Sequence, residues 1–207
     1  MIDIVKQKEP RLLKRHRTSN PNANYDNGPA DMKREIQEAL VREQFGLCCY
    51  CMQKIGLDSV RIEHKLSQSK HPDLSLKYEN MAGACNCSEG LPKEKQHCDI
   101  YKDGEDFTYD LSSIQAKIQY EPQGIIKSCD PELNRQINEV LNLNTPELMN
   151  LRKGIYDAVR QFFRKYSGNK GIIQHRIARL NHPSNGLKDA FCGVTIFFLE
   201  KRLRHCN

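Results

Sequence analysis

The spacing of apolar residues predicts amphipathic helices near both ends of the chain. The stretch DMKREIQEALVREQF, residues 31–45, is apolar at positions that follow the helical period, and Asp31 is its expected N-cap. Two longer stretches, 147–166 and 187–204, carry apolar and aromatic residues at the same spacing. Their aromatic side chains are interpreted as core, because residues of this type are mostly buried.

Between these helices the pattern becomes one that is typical of short strands and loops. Residues 47–106 are rich in Cys, His, Gly and Lys and show little helical periodicity, and VRIEH (60–64) is the best strand candidate. Residues 18–30 concentrate turn-forming residues and are predicted to be irregular. We therefore predict an α+β fold, with a small core embedded in a mainly α-helical protein. The predicted regions are an amino-terminal arm and helix (1–46), the core (47–110) and a carboxy-terminal helical region (111–207).

The composition is that of a folded chain without a membrane span. Of its 207 residues, 38% are hydrophobic and 28% are charged, so the chain can bury a core. No stretch approaches the roughly eighteen uninterrupted apolar residues that a membrane helix needs. The amino terminus, MIDIVKQKEPRLLKRH, is charged throughout and lacks the apolar centre of a signal peptide. A cytoplasmic location is the expectation.

Charge is distributed unevenly along the chain. Residues 150–207 hold twelve Lys/Arg against three Asp/Glu, whereas residues 46–149 hold eleven against sixteen. A basic segment of this kind suits a polyanion such as nucleic acid. Taken alone, however, a run of charge more often marks a solvated helical face.

The nine cysteines suggest a metal site, because clustered cysteines in a reducing compartment more often bind metal than form disulfides. Cys48 and Cys51 form a C-x2-C pair, which can direct two thiolates at one tetrahedral ion, and Cys49 between them should point away. Cys85, Cys87 and Cys98 are candidates for the other half. Incidental buried thiols are the alternative. A redox role is disfavoured because no thioredoxin-like βαβ pattern surrounds the pair.

An acid–histidine pair lies between the two groups of cysteines. Glu63 and His64 are adjacent, so on a regular strand they would point to opposite faces. A turn or bulge would let both face one site. A lone Glu-His dipeptide carries little information, because a structural histidine is the commoner explanation, but its position between two half-sites makes it a candidate for chemistry.

The order of these motifs resembles the HNH endonuclease family. That family builds a ββα-metal core, in which a two-stranded hairpin and a short helix hold one catalytic divalent ion. The matching elements are CCYC (48–51), IEH (62–64), YENM (78–81), AGAC (82–85) and CDIYKDG (98–104). A narrower likeness, carried by PRLLKRH, PNANYD, KREIQEALVREQFGLCCYC and HCDIYKDGED, is to the retron- and Septu-associated HNH nucleases, the PtuB-like subunits of bacterial anti-phage systems.

The resemblance implies roles for four residues of the core. His64 would be the general base that takes a proton from water. Asn80 would orient His64 through backbone contacts, although a surface asparagine in a turn is the alternative. Asp99 would be a ligand of the catalytic ion, Mg²⁺ or Mn²⁺, since carboxylates suit hard cations. Glu63 stands where many family members have Asp, which leaves direct or water-mediated contact with this ion open.

The resemblance also implies a separate structural zinc ion bound by four thiolates. In the usual second knuckle two residues separate the cysteines, but here twelve intervene, so residues 86–97 are interpreted as an insertion. Cys87 and His97 are reserve ligands. Lys102 would steady the loop or the phosphate, or, as a surface lysine, do neither. The expected zinc ligands are Cys48, Cys51, Cys85 and Cys98.

The resemblance further implies DNA as the substrate and an ABC/SMC-like ATPase as the partner, with a retron reverse transcriptase and its DNA as further candidates. The chain has no Walker-type G-x4-GK[ST] motif, so ATP dependence would have to come from the partner. The helices at 147–166 and 187–204 could dock on the partner or only close the core. A non-catalytic zinc module that binds nucleic acid or protein is the alternative function. The acidic residues after the site are interpreted as a solvated loop rather than a partner-facing one; they are Asp103, Glu105, Asp106 and Asp110.

Overall fold

The described part of the chain, residues 1–19, 22–166, 169–183 and 186–204, is α+β in this computed structural model, with about 49% helix and two small sheets. The predicted class is confirmed. The helices are α1 (Arg11–Ser19), α2 (Ala30–Glu43), α3 (Asp99–Lys102), α4 (Pro131–Arg135), α5 (Pro146–Tyr166), α6 (Lys170–Asn181) and α7 (Cys192–Arg204). Short 3-10 segments and one π-helical turn, Gln136–Val140, join them.

The larger sheet is an antiparallel hairpin of β1 (Val60–His64) and β2 (Met81–Cys85), in register from Val60↔Cys85 to His64↔Met81. The predicted strand at 60–64 is confirmed. All five residues of β2 are buried, and its small side chains allow close packing. A Cβ atom at Gly83 would lie 3.1 Å from Ile55 and Val60 side chains. The smaller sheet pairs β3 (Gln119–Tyr120) with β4 (Ile126–Lys127).

A buried glutamine joins helix α2 to this hairpin. Gln44, at the carboxyl end of α2, accepts a hydrogen bond from the Gly83 amide at 2.6 Å and donates to the Gly83 carbonyl at 2.8 Å. It also donates to the Leu47 carbonyl at 2.8 Å. Because a buried amide without partners is costly, these bonds hold the end of α2 and the following cysteine-bearing turn against β2.

The helix boundaries correct the sequence predictions at three places. Helix α2 begins at Ala30 with Pro29 as its N-cap, so the prediction of Asp31 is wrong; the Asp31 carboxylate accepts from the amide of Met32 within the first turn. Helix α7 begins at Cys192, not at residue 187, because the Lys188 and Phe191 amides donate to the carbonyls of residues 45 and 52. Residues 18–19 of the segment predicted to be irregular belong to α1, and its residues 20–21 lie outside the described residues.

The aromatic residues of the carboxy-terminal helices form core, as the spacing predicts. Phe198 is buried, Phe162 and Phe197 pack half-buried against the core, and the Tyr156 and Phe198 rings lie 4.7 Å apart. The same hydrophobic cluster contains Ile2 and Ile4 from the amino terminus as well as the cysteines of the central region. All three predicted regions therefore contribute to this cluster, while the apolar faces of α1 and α2 form a second one with Leu76, Tyr78 and Met81.

One basic residue of the carboxy-terminal region is a structural element of this core. Arg152 is 1% exposed and donates to the carbonyls of Gly124 and Leu143 at 2.6 and 2.7 Å. Its guanidinium also bonds Asn144, so it ties α5 to the turn between β3 and β4 and to the segment that precedes the helix. This arginine is therefore excluded from any surface role.

No helix among the described residues is both long enough and apolar enough to cross a bilayer.

Candidate metal centre and active site

Four cysteine sulfurs converge in the interior, and together they could hold a metal ion such as zinc. Cys48, Cys51, Cys85 and Cys98 are all buried, and their sulfurs lie within 4.8 Å of one another. The Cys48–Cys98 and Cys51–Cys85 sulfur pairs are 3.8 and 3.6 Å apart. Four sulfurs bound at about 2.3 Å to one tetrahedral ion would lie roughly 3.8 Å apart, so the spacing fits zinc.

The four cysteines come from three separate parts of the fold. The turn after α2 carries Cys48 and Cys51 and is closed by a bond from the Cys48 amide to the Gln53 carbonyl. Cys85 ends β2. Cys98 precedes α3 at a positive φ of 59°, a conformation that costs a non-glycine residue free energy, and its amide donates to the carbonyl of Leu141. Long-range contacts therefore hold Cys98 in place.

The structure separates the two reserve ligands from this cluster. Cys87 is exposed and is not one of the four clustered thiols, so Cys85 is the sulfur that the CNC sequence contributes. His97 is buried, with Nδ1 3.2 Å from the Cys98 sulfur. A ring nitrogen at that distance can donate to a thiolate and stabilise it from outside the ligand set.

The electrostatics of the cluster favour a bound cation. Burial raises the pKa of Cys98 well above its ordinary value, and the neighbouring Cys48 sulfur raises it further. Thiolates are the zinc ligands, and four of them packed together in the interior repel one another. A divalent cation in their midst removes this penalty, so the thiols and the ion are expected to stabilise each other.

A second site lies where the hairpin meets α3. A cavity of about 550 Å³ is lined by Glu63 and His64 from β1 and by Asp99 and Lys102 from α3. Tyr25, from the segment between α1 and α2, completes one side. Hairpin and helix thus bring together side chains that lie far apart in the sequence.

His64 is held in one tautomer by the backbone. It is 5% exposed, and its Nε2 lies 2.9 Å from the carbonyl oxygen of Ser75. Because a carbonyl only accepts, Nε2 carries the proton and Nδ1 keeps its lone pair. Burial lowers the pKa of His64 below its ordinary 6.5, so the ring is neutral at pH 7. The Tyr25 ring packs edge-on against it at 4.8 Å.

Asn80 is buried behind this histidine rather than exposed in a turn. Its side chain accepts from the amide of Leu66 and donates to the carbonyl of Leu66, both at 2.9 Å. A longer contact of 3.4 Å reaches the carbonyl of Leu74. Asn80 thus joins two segments: the residues that follow β1, and the segment around Leu74. The second segment also contains Ser75, whose carbonyl holds the His64 ring.

Lys102 is 4% exposed, so its assignment as a surface lysine is wrong. Its Nζ lies 3.0 Å from the Glu63 carboxylate and donates to the His64 carbonyl at 2.9 Å. The Tyr50 hydroxyl donates to the same carboxylate at 2.7 Å. Burial raises the pKa of Glu63 well above its ordinary range, and the nearby Asp99 carboxylate adds to this. The pairing of β1 is continuous through residues 63 and 64, so the suggested bulge is absent from this described strand.

Replacing Lys102 by methionine should lower the free energy of unfolding by about 3–5 kcal/mol, because it leaves the Glu63 charge buried and unpaired. Urea denaturation monitored by circular dichroism measures this. The loss should shrink as the pH falls, since protonation removes the uncompensated charge. The matched control is Lys70→Met, which breaks an exposed ion pair with Glu105 and should leave the urea midpoint unchanged. Equal losses in the two variants would contradict a role for the buried pair.

Asp99 has an internal cationic partner in Arg61. The Arg61 Nε donates to the Asp99 carboxylate at 2.9 Å, and a second guanidinium nitrogen lies 3.2 Å from Glu89. Among the described residues, the cysteine cluster is the only group of three or more side chains that could hold a metal ion. Glu63 and Asp99 are therefore at most a partial metal site. Sequence reasoning missed Arg61, although it lies two residues before Glu63 and so on the same face of β1.

The acidic residues after α3 are mostly solvated, as interpreted: Asp103, Glu105 and Asp110 are exposed, and Asp106 is half-buried. Asp106 accepts from the Ser67 amide at 2.8 Å and lies 3.1 Å from His71. Glu105 pairs with Lys70 at 2.9 Å. The Asp106 bonds fasten the loop that follows β1, whereas the exposed Lys70–Glu105 pair contributes little.

Comparison with known proteins does not supply a family. No family model matches the chain, and no curated protein matches it. The chemistry and geometry of the cysteine cluster and of the cavity are therefore the grounds for a function.

Proposed function

We propose that the chain is a metal-dependent endonuclease of the HNH type, which hydrolyses phosphodiester bonds of DNA. The observation that carries the proposal is the hairpin-and-helix cavity, in which a buried neutral histidine and two carboxylates meet beside a cysteine cluster that fits zinc. The zinc site would staple the turn, β2 and α3 together, and this fixes the cavity. The order of motifs along the sequence supports the same class.

His64 is the proposed general base. Its free Nδ1 can take a proton from water, while the bond from Nε2 to the Ser75 carbonyl fixes the ring and favours the developing imidazolium. Lys102 donates to the carbonyl of His64 itself, and Asn80 bonds the backbone of Leu66 two residues later, so both keep the histidine in place. Positioning of this kind matters because misplaced general bases lose much of their effect.

Asp99, with Glu63 beside it, would hold the catalytic Mg²⁺ or Mn²⁺. When bound, this ion would polarise the scissile phosphate and neutralise its charge. Mg²⁺ typically binds through one or two carboxylates together with substrate phosphates, so an incomplete protein site suits this ion. Arg61 would have to give up its bonds to Asp99 and Glu89, and its half-exposed guanidinium could then bind a phosphate.

The pH dependence of cleavage should report the buried histidine. Because burial lowers the pKa of His64, the acid limb of kcat/KM should have its midpoint below pH 6.5, and the rate should level off only above that midpoint. Initial cleavage rates at limiting plasmid concentration across this range measure the limb. A midpoint above pH 7 would contradict a desolvated His64 as the base.

The biological setting is a further part of the proposal. We infer a cytoplasmic nuclease that works with an ABC/SMC-like ATPase in anti-phage defence, with a retron reverse transcriptase and its DNA as further candidate partners. The motif order and the likeness of residues 1–106 support this setting. Plasmid cleavage with Mg²⁺ or Mn²⁺, measured for the chain alone and with the co-purified product of the neighbouring gene, with and without ATP, tests it. Absence of cleavage under all these conditions would reject the nuclease.

A non-catalytic zinc module is the second candidate. The observation that favours it is that both carboxylates already have cationic partners, Glu63 in Lys102 and Asp99 in Arg61. Such a module would bind nucleic acid or protein without hydrolysis. Cleavage that depends on His64 separates the two candidates, because a pure binding module has no use for a positioned base.

A further inference from the structure

Helix α6 carries charges of one sign, as α1 does, whereas α2, α5 and α7 contain both signs. The sequence of α6, KGIIQHRIARLN, contains Lys170, Arg176 and Arg179 but no acidic residue. Exposed helices usually interleave both signs. Helix α2 pairs Arg34 with Glu38, and α5 pairs Lys153 with Asp157, in the usual manner. Arg176 and Arg179 are exposed, and no salt bridge reaches either of them within the described residues.

The two arginines belong to a concave surface rather than to a convex one. A cavity of about 300 Å³ is lined by Arg176, Arg179, His182 and Lys188, with Asp189 as its one acidic residue among those described. Arg176 and Arg179 are three residues apart, so they lie on one face of α6. The Lys188 ammonium lies 4.5 Å from the centre of the Phe45 ring, which holds this lysine at the rim.

The charge of the central part of the chain creates a need for a basic surface outside it. Residues 46–149, which include the cavity of the proposed nuclease, hold eleven Lys/Arg against sixteen Asp/Glu. Several cations in this part already have acidic partners, among them Lys70, Lys102, Lys127 and Arg135. Affinity for DNA comes mostly from lysine and arginine contacts to phosphates, so it must be supplied from elsewhere.

We propose that the surface formed by Arg176, Arg179, His182 and Lys188, here called the α6 face, binds the phosphate backbone of duplex DNA outside the cleavage site. The proposal extends the nuclease function and rests on it for the identity of the polyanion. Guanidinium groups suit phosphate because they offer several donors in a planar fork. Contacts of this kind are independent of base sequence. The α6 face would therefore supply affinity for DNA, and the cavity would select the bond that is cut.

The test measures DNA binding without cleavage. Fluorescence anisotropy of a fluorescein-labelled DNA duplex is followed in the His64→Ala background, between about 50 and 200 mM KCl and without added divalent cation. Replacing Arg176 and Arg179 together by glutamine should lower the slope of log K against log salt by about two, since each phosphate contact contributes about one. The affinity at low salt should fall about tenfold.

The matched control removes two arginines that already have acidic partners. Arg34→Gln with Arg135→Gln changes the net charge by the same amount, and both residues are about half exposed. This pair should leave the slope unchanged. Equal loss in both double variants would overturn the proposal, because net charge alone would then explain binding. Unchanged DNA binding in the α6 variant would also overturn the proposal. The α6 face would then be a candidate surface for a protein partner.

Failure of the nuclease proposal gives a different result from failure of the α6 face. In the cleavage assay, the double α6 variant should raise KM and keep kcat at saturating DNA. One outcome is that the unmodified chain does not cleave DNA, while replacing Arg176 and Arg179 weakens DNA binding. The α6 face is then supported and the nuclease proposal is rejected. The other outcome is that cleavage depends on His64, while replacing the two arginines leaves DNA binding unchanged. The nuclease proposal is then supported and the α6 face is rejected.

Discussion

Replacing His64 by alanine should lower the rate of plasmid cleavage with Mg²⁺ or Mn²⁺ by about 10²- to 10⁴-fold, the usual contribution of a general base. The structure gives the reason: Nε2 is committed to the Ser75 carbonyl, and Nδ1 is left to accept a proton from water. Agarose-gel quantification of supercoiled, nicked and linear plasmid measures the rate. Zinc content and the circular dichroism spectrum should stay unchanged, because His64 is not part of the cysteine cluster.

The control for this experiment is a second histidine in the following loop. His71 pairs with Asp106 and does not line the cavity, so His71→Ala should keep most of the activity. If His64→Ala weakens folding by leaving the Ser75 carbonyl without a donor, His64→Gln supplies an amide in place of the ring and should be equally inactive. Cleavage that survives in both folded variants of His64 would eliminate the catalytic assignment.

Replacing Cys98 by serine should remove the metal and destabilise the whole chain. The wild-type protein is expected to contain one tightly bound Zn²⁺, and the variant less than a stoichiometric amount. Loss of a structural metal belongs to the largest effects of single substitutions, about 4 kcal/mol or more. For a chain of this size that corresponds to a fall in Tm of roughly 10 °C or more. Elemental analysis and differential scanning calorimetry measure the two effects.

Cys87 provides the matched control for the zinc experiment. It lies two residues after Cys85, but it is exposed and outside the four-thiol cluster. Cys87→Ser should therefore keep one zinc ion per chain and an unchanged Tm. Folded wild-type protein that contains no zinc would refute the metal centre, and zinc loss in Cys87→Ser would show that the third ligand is misassigned.

Much of the frame of the site was predictable from local sequence. The strand at 60–64 alternates and contains β-branched residues, which favour a pleated surface, and it forms as predicted. The thiols at positions 48, 51, 85 and 98 were predicted as one ligand set, and the structure clusters them. Helix α5, at Pro146–Tyr166, follows its apolar period. For the strand and the helix the signal lies within a few neighbouring residues. The spacing of the cysteines indicated a metal site, and the family resemblance implied which four thiols form it.

Other features depended on partners that are distant in sequence. Nothing near Lys102 indicates that its ammonium is buried against Glu63, because the pair exists only when α3 packs on β1. Helix α7 starts late because its preceding loop is bonded to residues 45 and 52. Asp31 is in the first turn rather than at the cap because the chain enters α2 through an extended Pro29.

The sequence by itself determined the α+β class, the strand that carries His64 and the two groups of cysteines, since periodicity and residue spacing are properties of the chain alone. Only the tertiary structure decided between Cys85 and Cys87, chose the tautomer of His64 through the Ser75 carbonyl, and paired Asp99 with Arg61. The physical reason is that burial and hydrogen bonding depend on groups brought together by folding. The residues that neighbour a histidine or a lysine in sequence do not reveal which ring nitrogen carries the proton or which acid pairs with the ammonium.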